Sequence, residues 1–328
     1  MSLLEGYKAS LKSTETEDWL DLHFIRPICY LLACLFARLD IHPNTVTIAS
    51  MFVGAGSTYF FIHGCYYYEG AEGLAMNIIG MCLLLFADIL DCVDGQLARM
   101  TGKKSPMGRI LDGIAGFTWF VPIYLGLVYR FYCHHEIEFG WLGIADTEQN
   151  ALIATTVVFL FGLVSGFIGM GGQQRLADYY IQVHLFFLKG EKGSELDNSI
   201  QQKAKLDAMT AETPWAERAF QKSYVEYTRK QESATPQFQR LLKIAKEKFG
   251  GAGNIPESAR KAFHDGSLPI IFWNGLLTFN FRTAFFFLFV LLDIPVMNFV
   301  WEAVGMSLLY LYVNRRHENL SRRIADSL

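Results

Sequence analysis

Charge of one sign is scarce in this chain of 328 residues: the net charge is −3, which gives no support for nucleic-acid binding. Paired cysteines are missing too. Cys29, Cys34, Cys65, Cys82, Cys92 and Cys133 show no framework spacing and mostly lie in apolar runs, which argues against disulfide scaffolding and against zinc. Cys92 reads as a small packing residue rather than a redox group. The first residues, Met-Ser-Leu-Leu-Glu-Gly, lack the charged-then-apolar pattern of a signal peptide. No internal repeat or low-complexity tract is present. What the chain does contain is 52% hydrophobic and 15% aromatic residues with a mean hydropathy of +0.21, values that fit a membrane protein with a sizeable water-exposed part.

Apolar stretches near 46–63, 74–91, 110–129, 151–170, 269–291 and 295–313 are each about long enough to cross a bilayer. The last two are expected to form a tight hairpin around Asp293 and Pro295. Residues 18–38 differ: Trp19, His23 and Arg26-Pro27 precede a short apolar run, Ile28 to Ala37, and read as an interfacial helix. The expected fold is therefore all-α, with six transmembrane helices, this interfacial helix and a polar helical insertion. The corresponding segments are 1–43, 44–175, 176–268 and 269–328. Basic residues set the orientation. Arg99, Lys103, Lys104, Arg109, the 171–268 segment and Arg315, Arg316, Arg322 and Arg323 lie on one side. The opposite connections offer Arg130 amid Glu69, Glu72, Glu136, Glu138, Asp146 and Glu148. Both termini are thus expected in the cytosol, most simply at a bacterial inner membrane. In the insertion, Thr213-Pro214 and Thr235-Pro236 read as helix starts. Phe238, Leu241, Leu242, Ala245 and Phe249 share one face, and Gly250-Gly251 end that helix. This insertion reads as a packed helical hairpin, with partner binding as the alternative.

The most informative stretch is Asp91-Cys-Val-Asp94-Gly95-Gln-Leu-Ala98-Arg99, followed after eight residues by Gly108 and then by Asp112. Asp91 and Asp94 stand one helical turn apart, and Asp112 returns from the next helix. Clustered carboxylate oxygens suit a hard divalent cation, Mg²⁺ or Mn²⁺. Ionised groups at the end of an apolar segment are costly unless something pairs them. A phosphate-bearing substrate bridging metal ions at a membrane surface is the expected chemistry. Gly95 permits close backbone approach, and Arg99 and Ser105 can donate to a pyrophosphate. Asn44 reads as the N-cap of the first span. Asp88, one turn before Asp91, reads equally as a group orienting Asp91, a partner for an arginine, or a substitute carboxylate. Arg175 is either a positive-inside anchor or an acceptor-phosphate ligand. Arg282 lies mid-span in Phe279-Asn280-Phe281-Arg282-Thr283 and needs a partner: Asn280, a substrate phosphate, or a carboxylate such as Asp88.

The pattern resembles the signature of the CDP-alcohol phosphotransferases, D-x2-D-G-x2-A-R-x8-G-x3-D-x3-D, at seven of its eight fixed positions. The eighth, the last aspartate, is Gly116 here. The resemblance implies a six-helix membrane enzyme with a cytosolic site that moves a phosphatidyl group from CDP-diacylglycerol to an alcohol and releases CMP, in phospholipid biosynthesis. It implies metal ligation by Asp91, Asp94 and Asp112, with Asp91 and Asp112 catalytic. It also implies CDP-lipid contacts at Asn44, Thr47, Gly95, Ala98, Arg99, Ser105 and Gly108, since the family has a similar Pro-Asn-x-x-Thr element. Membrane lipids and a homodimeric mate are the implied partners. Among members, the chain resembles the bacterial phosphatidylinositol-phosphate synthases, so the expected acceptor is inositol phosphate or a related polyol bound by Arg175 and Arg282. Gly116 stands where the family has its base and a ligand to the second metal. That makes a catalytically impaired CDP-lipid-binding protein the alternative.

Overall fold

The computed structural model describes residues 7, 16, 21–103, 105–190, 194 and 196–328. Trp19 and Lys104 lie outside the described residues. Among these the chain is helical throughout, with no strand. It divides into two compact units, Met1–Gly166 with Thr283–Trp301, and Phe167–Arg282 with Glu302–Leu328.

The first unit starts with a π-helical turn, Asp21–Ile25, running into α1 (Arg26–Arg38). Then come α2 (Pro43–Ile62), α3 (Ala71–Thr101), α4 (Pro106–Cys133) and α5 (Glu148–Ile168). Helix α2 packs along both α3 and α4, and α1 packs on α3. Small residues make the first contact close. A Cβ added at Gly54 would stand 2.2 Å from the Trp119 ring of α4, so glycine is required there by the neighbour. Ile25, Cys29 and Ala33 form one apolar cluster with Val46, Leu90, Val93 and Leu97, which fixes α1 against the final third of α3. Phe24 of the π-helical turn and Ile28, Leu31 and Leu35 of α1 are exposed.

Far along the chain from that cluster, Arg130 is buried and ion-paired with Asp293. Its guanidinium also donates to Phe61 O at 2.9 Å and Asn77 Oδ1 at 3.1 Å. Asp293 Oδ2 accepts from Tyr67 N at 2.9 Å, and Asn77 Nδ2 donates to Gly64 O at 2.6 Å. The single cation on the acidic side of the expected topology is therefore an internal tie between connections. Asp293 holds a left-handed backbone conformation at φ 62°, which short polar residues tolerate.

In the second unit, α6 (Gln174–Lys189) continues from α5 through a π-helical stretch, Gly169–Gln173. It is followed by α7 (Ser199–Asp207), α8 (Trp215–Ala234), α9 (Pro236–Phe249) and α10 (Glu257–Gly275). Helix α11 (Phe279–Leu291) starts in this unit, and α12 (Met306–Ser327) ends it. Helix α10 packs on α6, and α12 packs on α9 and α10. Phe238, Leu241 and Ala245 are buried and Gly250 closes α9 at φ 76°, as the periodicity indicates. Thr235 is a different matter: its hydroxyl donates back to Gln231 O at 2.9 Å and makes no cap bond to α9. The boundaries expected at 175/176 and 268/269 fall inside α6 and α10. The C-terminal segment is a packed helix.

Among the described residues, five stretches are long and apolar enough to cross a membrane: Pro43–Ile62, Ala71–Thr101, Met107–Cys133, Glu148–Lys189 and Glu257–Leu291. The sixth expected stretch, 295–313, is not among them. It is broken into Met297–Val300, a π-helical turn Trp301–Gly305 and the start of α12, and it carries the buried Glu302.

At the centre of the second unit, His317 is buried with its ring stacked on Tyr180 at 3.8 Å and edged by Phe263 at 5.8 Å. Burial lowers its pKa to about 3, with His184 adding to the effect. The imidazole is neutral in the fold and binds a proton more readily when unfolded. Its contribution is therefore complete above the unfolded pKa near 6.5 and shrinks as pH falls towards 3. Thermal unfolding in detergent should lose roughly 1.4 kcal/mol per pH unit below about 6 from this group, and His317→Phe should flatten that slope. Asp293→Ala should cost about 3–5 kcal/mol in the same assay by stranding the buried Arg130, and replacing both partners with apolar residues should cost less.

Candidate active site

Helix α3 carries the acidic signature on its last turns. Asp88, Asp91 and Asp94 repeat at three-residue steps, and Gly95, Ala98 and Arg99 continue the helix to its end. Gly102 ends α3 in a left-handed conformation, φ 70°, the ordinary role of glycine after a helix. Ser105 then caps α4, its Oγ accepting from Gly108 N at 2.9 Å. This short reversal returns Asp112, which is exposed, towards the carboxylates of α3. Asp91 lies in electrostatic range of Asp94, Asp112 and Asp88, and Asp94 in range of Asp112 and Arg99. The three acids of the two helices thus influence one another electrostatically.

The start of α2 supplies the other wall. His42 is the N-cap, with Nδ1 accepting from Asn44 N at 3.2 Å, so the cap expected at Asn44 belongs two residues earlier. Pro43 takes the first helical position, where its missing N–H costs nothing. Asn44 is thereby released to face Ser105 Oγ at 3.5 Å. Thr47 donates from Oγ1 to Oδ2 of the buried Asp94. Asn44, Thr47, Asp94, Ser105 and Gly108 form one group where α2, α3 and α4 meet.

Two glycines of the signature do different work. A Cβ at Gly108 would lie 2.9 Å from Asn44 Oδ1 and 3.2 Å from Ser105 Oγ, so packing demands glycine. A Cβ at Gly95 would meet only the mobile end of Arg99, at 3.4 Å. No neighbour in the protein requires glycine at 95, and glycine inside a helix costs about 1 kcal/mol relative to alanine. A surface kept bare at that cost suits a ligand that passes close to the backbone.

Two observations bear on a hard divalent cation at these acids. Asp91 Oδ1 is buried without a hydrogen-bond partner, and the surrounding oxygens are carboxylates in mutual repulsive range. Still, among the described residues no three of His, Cys, Asp or Glu are drawn close enough to constitute a ligating group. The acids share a site without the closed arrangement that the spacing led us to expect. Gly116 lies on α4 one turn beyond Asp112 and offers no side-chain oxygen.

Arg175 and Arg282 belong to the second unit. Arg175 sits in the first turn of α6 with its guanidinium 5.9 Å from the Tyr227 ring. Arg282 is buried and has its partners within that unit: Glu302 Oε1 at 3.0 Å and Gln173 Oε1 at 3.0 Å. Neither Asn280 nor Asp88 fills that role, and an acceptor phosphate is not needed to explain the charge. Glu302 could have been read from the sequence as the one acid inside the 295–313 stretch, where a buried arginine needs a buried carboxylate.

Arg26 is a second residue that sequence reasoning missed. Through the α1–α3 packing it comes into electrostatic range of Asp88 and Asp91, with Asp21 close to Asp88. A cation in the first turn of a helix opposes the macrodipole, and that is the signal that pointed to an acidic partner.

The class defined so far is a helical membrane protein with an acid-lined site at the end of one long helix. Comparison with known proteins narrows it. Residues 40–168, which include α2 to α5 and the whole signature, match the family described as CDP-alcohol phosphatidyltransferase. The chain is similar to cholinephosphotransferase 1 of Xenopus laevis, 26% identical over 157 residues, 39% of this chain and 38% of that protein. It therefore spans about two-fifths of the length of the curated relative it matches. No solved structure matches it. These matches support the CDP-alcohol phosphatidyltransferase family and an integral membrane protein; they do not single out the bacterial phosphatidylinositol-phosphate synthases.

The glycine geometry makes a direct prediction. Thermal unfolding should show Gly108→Ala less stable than wild type, because Asn44 must move. Gly95→Ala should unfold at the same temperature or slightly higher.

Proposed function

We propose that the chain transfers the phosphoalcohol part of a CDP-linked lipid, best CDP-diacylglycerol, to an alcohol and releases CMP. The observation that carries this reading is that Asp91 lies in electrostatic range of Asp94 and Asp112, beside a glycine, Gly95, that no described neighbour requires. Asp91, Asp94 and Asp112 would hold Mg²⁺ or Mn²⁺, which when bound neutralises charge building on the diphosphate. Thr47 fixes the Asp94 carboxylate. Arg99, Ser105 and Asn44 donate to the diphosphate and the cytidine, and Gly95, Ala98 and Gly108 leave room for them. The acceptor hydroxyl loses its proton to a neighbouring base, and with glycine at 116 that base is Asp88 or a water held by the acids. Both termini and the site face the cytosol, six spans and an interfacial α1 complete the topology, and the chain works as a homodimer in the inner membrane of a bacterium.

For the acceptor, inositol phosphate or a related polyol is the reading we retain, resting on Arg175, since Arg282 has its own carboxylate. Choline enters the comparison through the name of the Xenopus relative. A second reading is favoured by Gly116 and by the open spacing of the acids: a CDP-lipid-binding protein of low turnover with a scaffolding or regulatory role.

One assay separates the readings. CMP release from CDP-diacylglycerol is followed with inositol phosphate, inositol, glycerol phosphate, serine, ethanolamine and choline, with Mg²⁺, Mn²⁺ or chelator. Turnover that is present in wild type and lost in Asp91→Asn and Gly95→Ala is the expected result. No release with any acceptor, with a gain of ~10²–10⁴ in Gly116→Asp, would establish the low-turnover reading instead.

A further inference from the structure

Outside the acidic site, the largest unpaired charge lies on α12. One face of this helix, Val313, His317, Leu320, Ile324 and Ala325, is buried against its own unit. The other face changes character along its length. Leu308, Leu311 and Tyr312 are exposed and apolar, and the next exposed side chains are Arg315, Arg316, Arg322 and Arg323. Among the described residues none of these arginines has a carboxylate within ion-pair distance. Arg316 lies over the Tyr312 ring at 5.9 Å, and Tyr312 packs edge-on to Trp273 at 5.6 Å. Arg316, Asn319, Arg322 and Arg323 line an open groove of about 400 Å³, with Arg322 oriented by Asn319 Oδ1 at 3.2 Å.

We propose that this groove binds the phosphate of an anionic phospholipid headgroup. Three features support a lipid occupant over a free anion. The exposed aliphatic side chains upstream on the same face suit acyl chains. The Trp273–Tyr312 pair is of the kind that marks the boundary between hydrocarbon and headgroups. Arg315 and Arg316 follow within about one turn of Tyr312, Arg322 and Arg323 come about two turns further along the same helix, and their planar guanidinium groups can donate to phosphate oxygens in pairs. Asn319 adds a neutral polar group to the floor of the same groove.

The test uses the full chain in zwitterionic detergent micelles, titrated with palmitoyl-oleoyl phosphatidylglycerol, with the phosphatidylcholine of the same chains, or with inorganic phosphate, while the melting midpoint is followed. The phosphatidylglycerol should raise the midpoint saturably and the other two should not. In the triple variant R316Q/R322Q/R323Q the apparent affinity should fall on the order of 100-fold. The charge-keeping R316K/R322K/R323K should retain most of it, and the single variants R316Q and R323Q should each lose several-fold. An unchanged response in the triple variant would move the binding elsewhere, for instance to the acidic site, and overturn the proposal. Equal stabilisation by phosphatidylcholine or by inorganic phosphate would overturn it as well.

Discussion

An ionised group inside an apolar helix must find a counter-charge, and that requirement sorts the buried charged residues of this protein. Arg130 is met by Asp293 and Arg282 by Glu302, each pair buried and each braced by an amide side chain, Asn77 or Gln173. Such pairs are weak sources of net stability but strong constraints, since removing one member strands the other. They identify two arginines as structural. The carboxylates of α3 do not follow the same pattern. Asp91 faces three other acids and leaves a buried oxygen unsatisfied. The positive protein charge that comes into range of these acids from outside the signature is Arg26 of α1.

The structural framework around those acids is correspondingly stiff. Helix α2 closes on α4 through Gly54 and Trp119, and α1 is fixed to α3 by Ile25 and Cys29. The N-terminal helix is thus part of the site's surroundings, because the same packing that buries Ile25 brings Arg26 towards Asp88 and Asp91. Asp88 sits between these influences. Its neighbours favour a role coupled to Arg26 and Asp21, in addition to its place one turn from Asp91.

Local pattern carried most of what was legible in the sequence. Apolar length located α2, α3 and α4, periodicity gave the buried face of α9, and the acidic spacing put Asp91, Asp94 and Asp112 in electrostatic range of one another, though among the described residues not in a ligating group. Less legible was whatever depends on partners distant along the chain. Arg282 looked like a ligand because Glu302, twenty residues on, lies in a stretch that reads as a uniform span. Asn44 looked like a cap because a preceding histidine is a rare one; in fact His42 takes the cap and frees Asn44 for Ser105. Helix α6 lies beyond the apolar segment 151–170 and α10 begins ahead of the one at 269–291, since their polar sequences still bury Tyr179, Tyr180, Phe186 and Phe187 in α6 and Phe263 in α10.

The length of α3 has a geometric consequence. Its 31 residues rise about 46 Å, whereas bilayer hydrocarbon is about 30 Å thick. Asp94 stands about 35 Å along the helix axis from its first residue, farther than that hydrocarbon is thick. An upright helix of this length cannot be immersed along its whole course, so turns at one end or at both extend beyond the hydrocarbon.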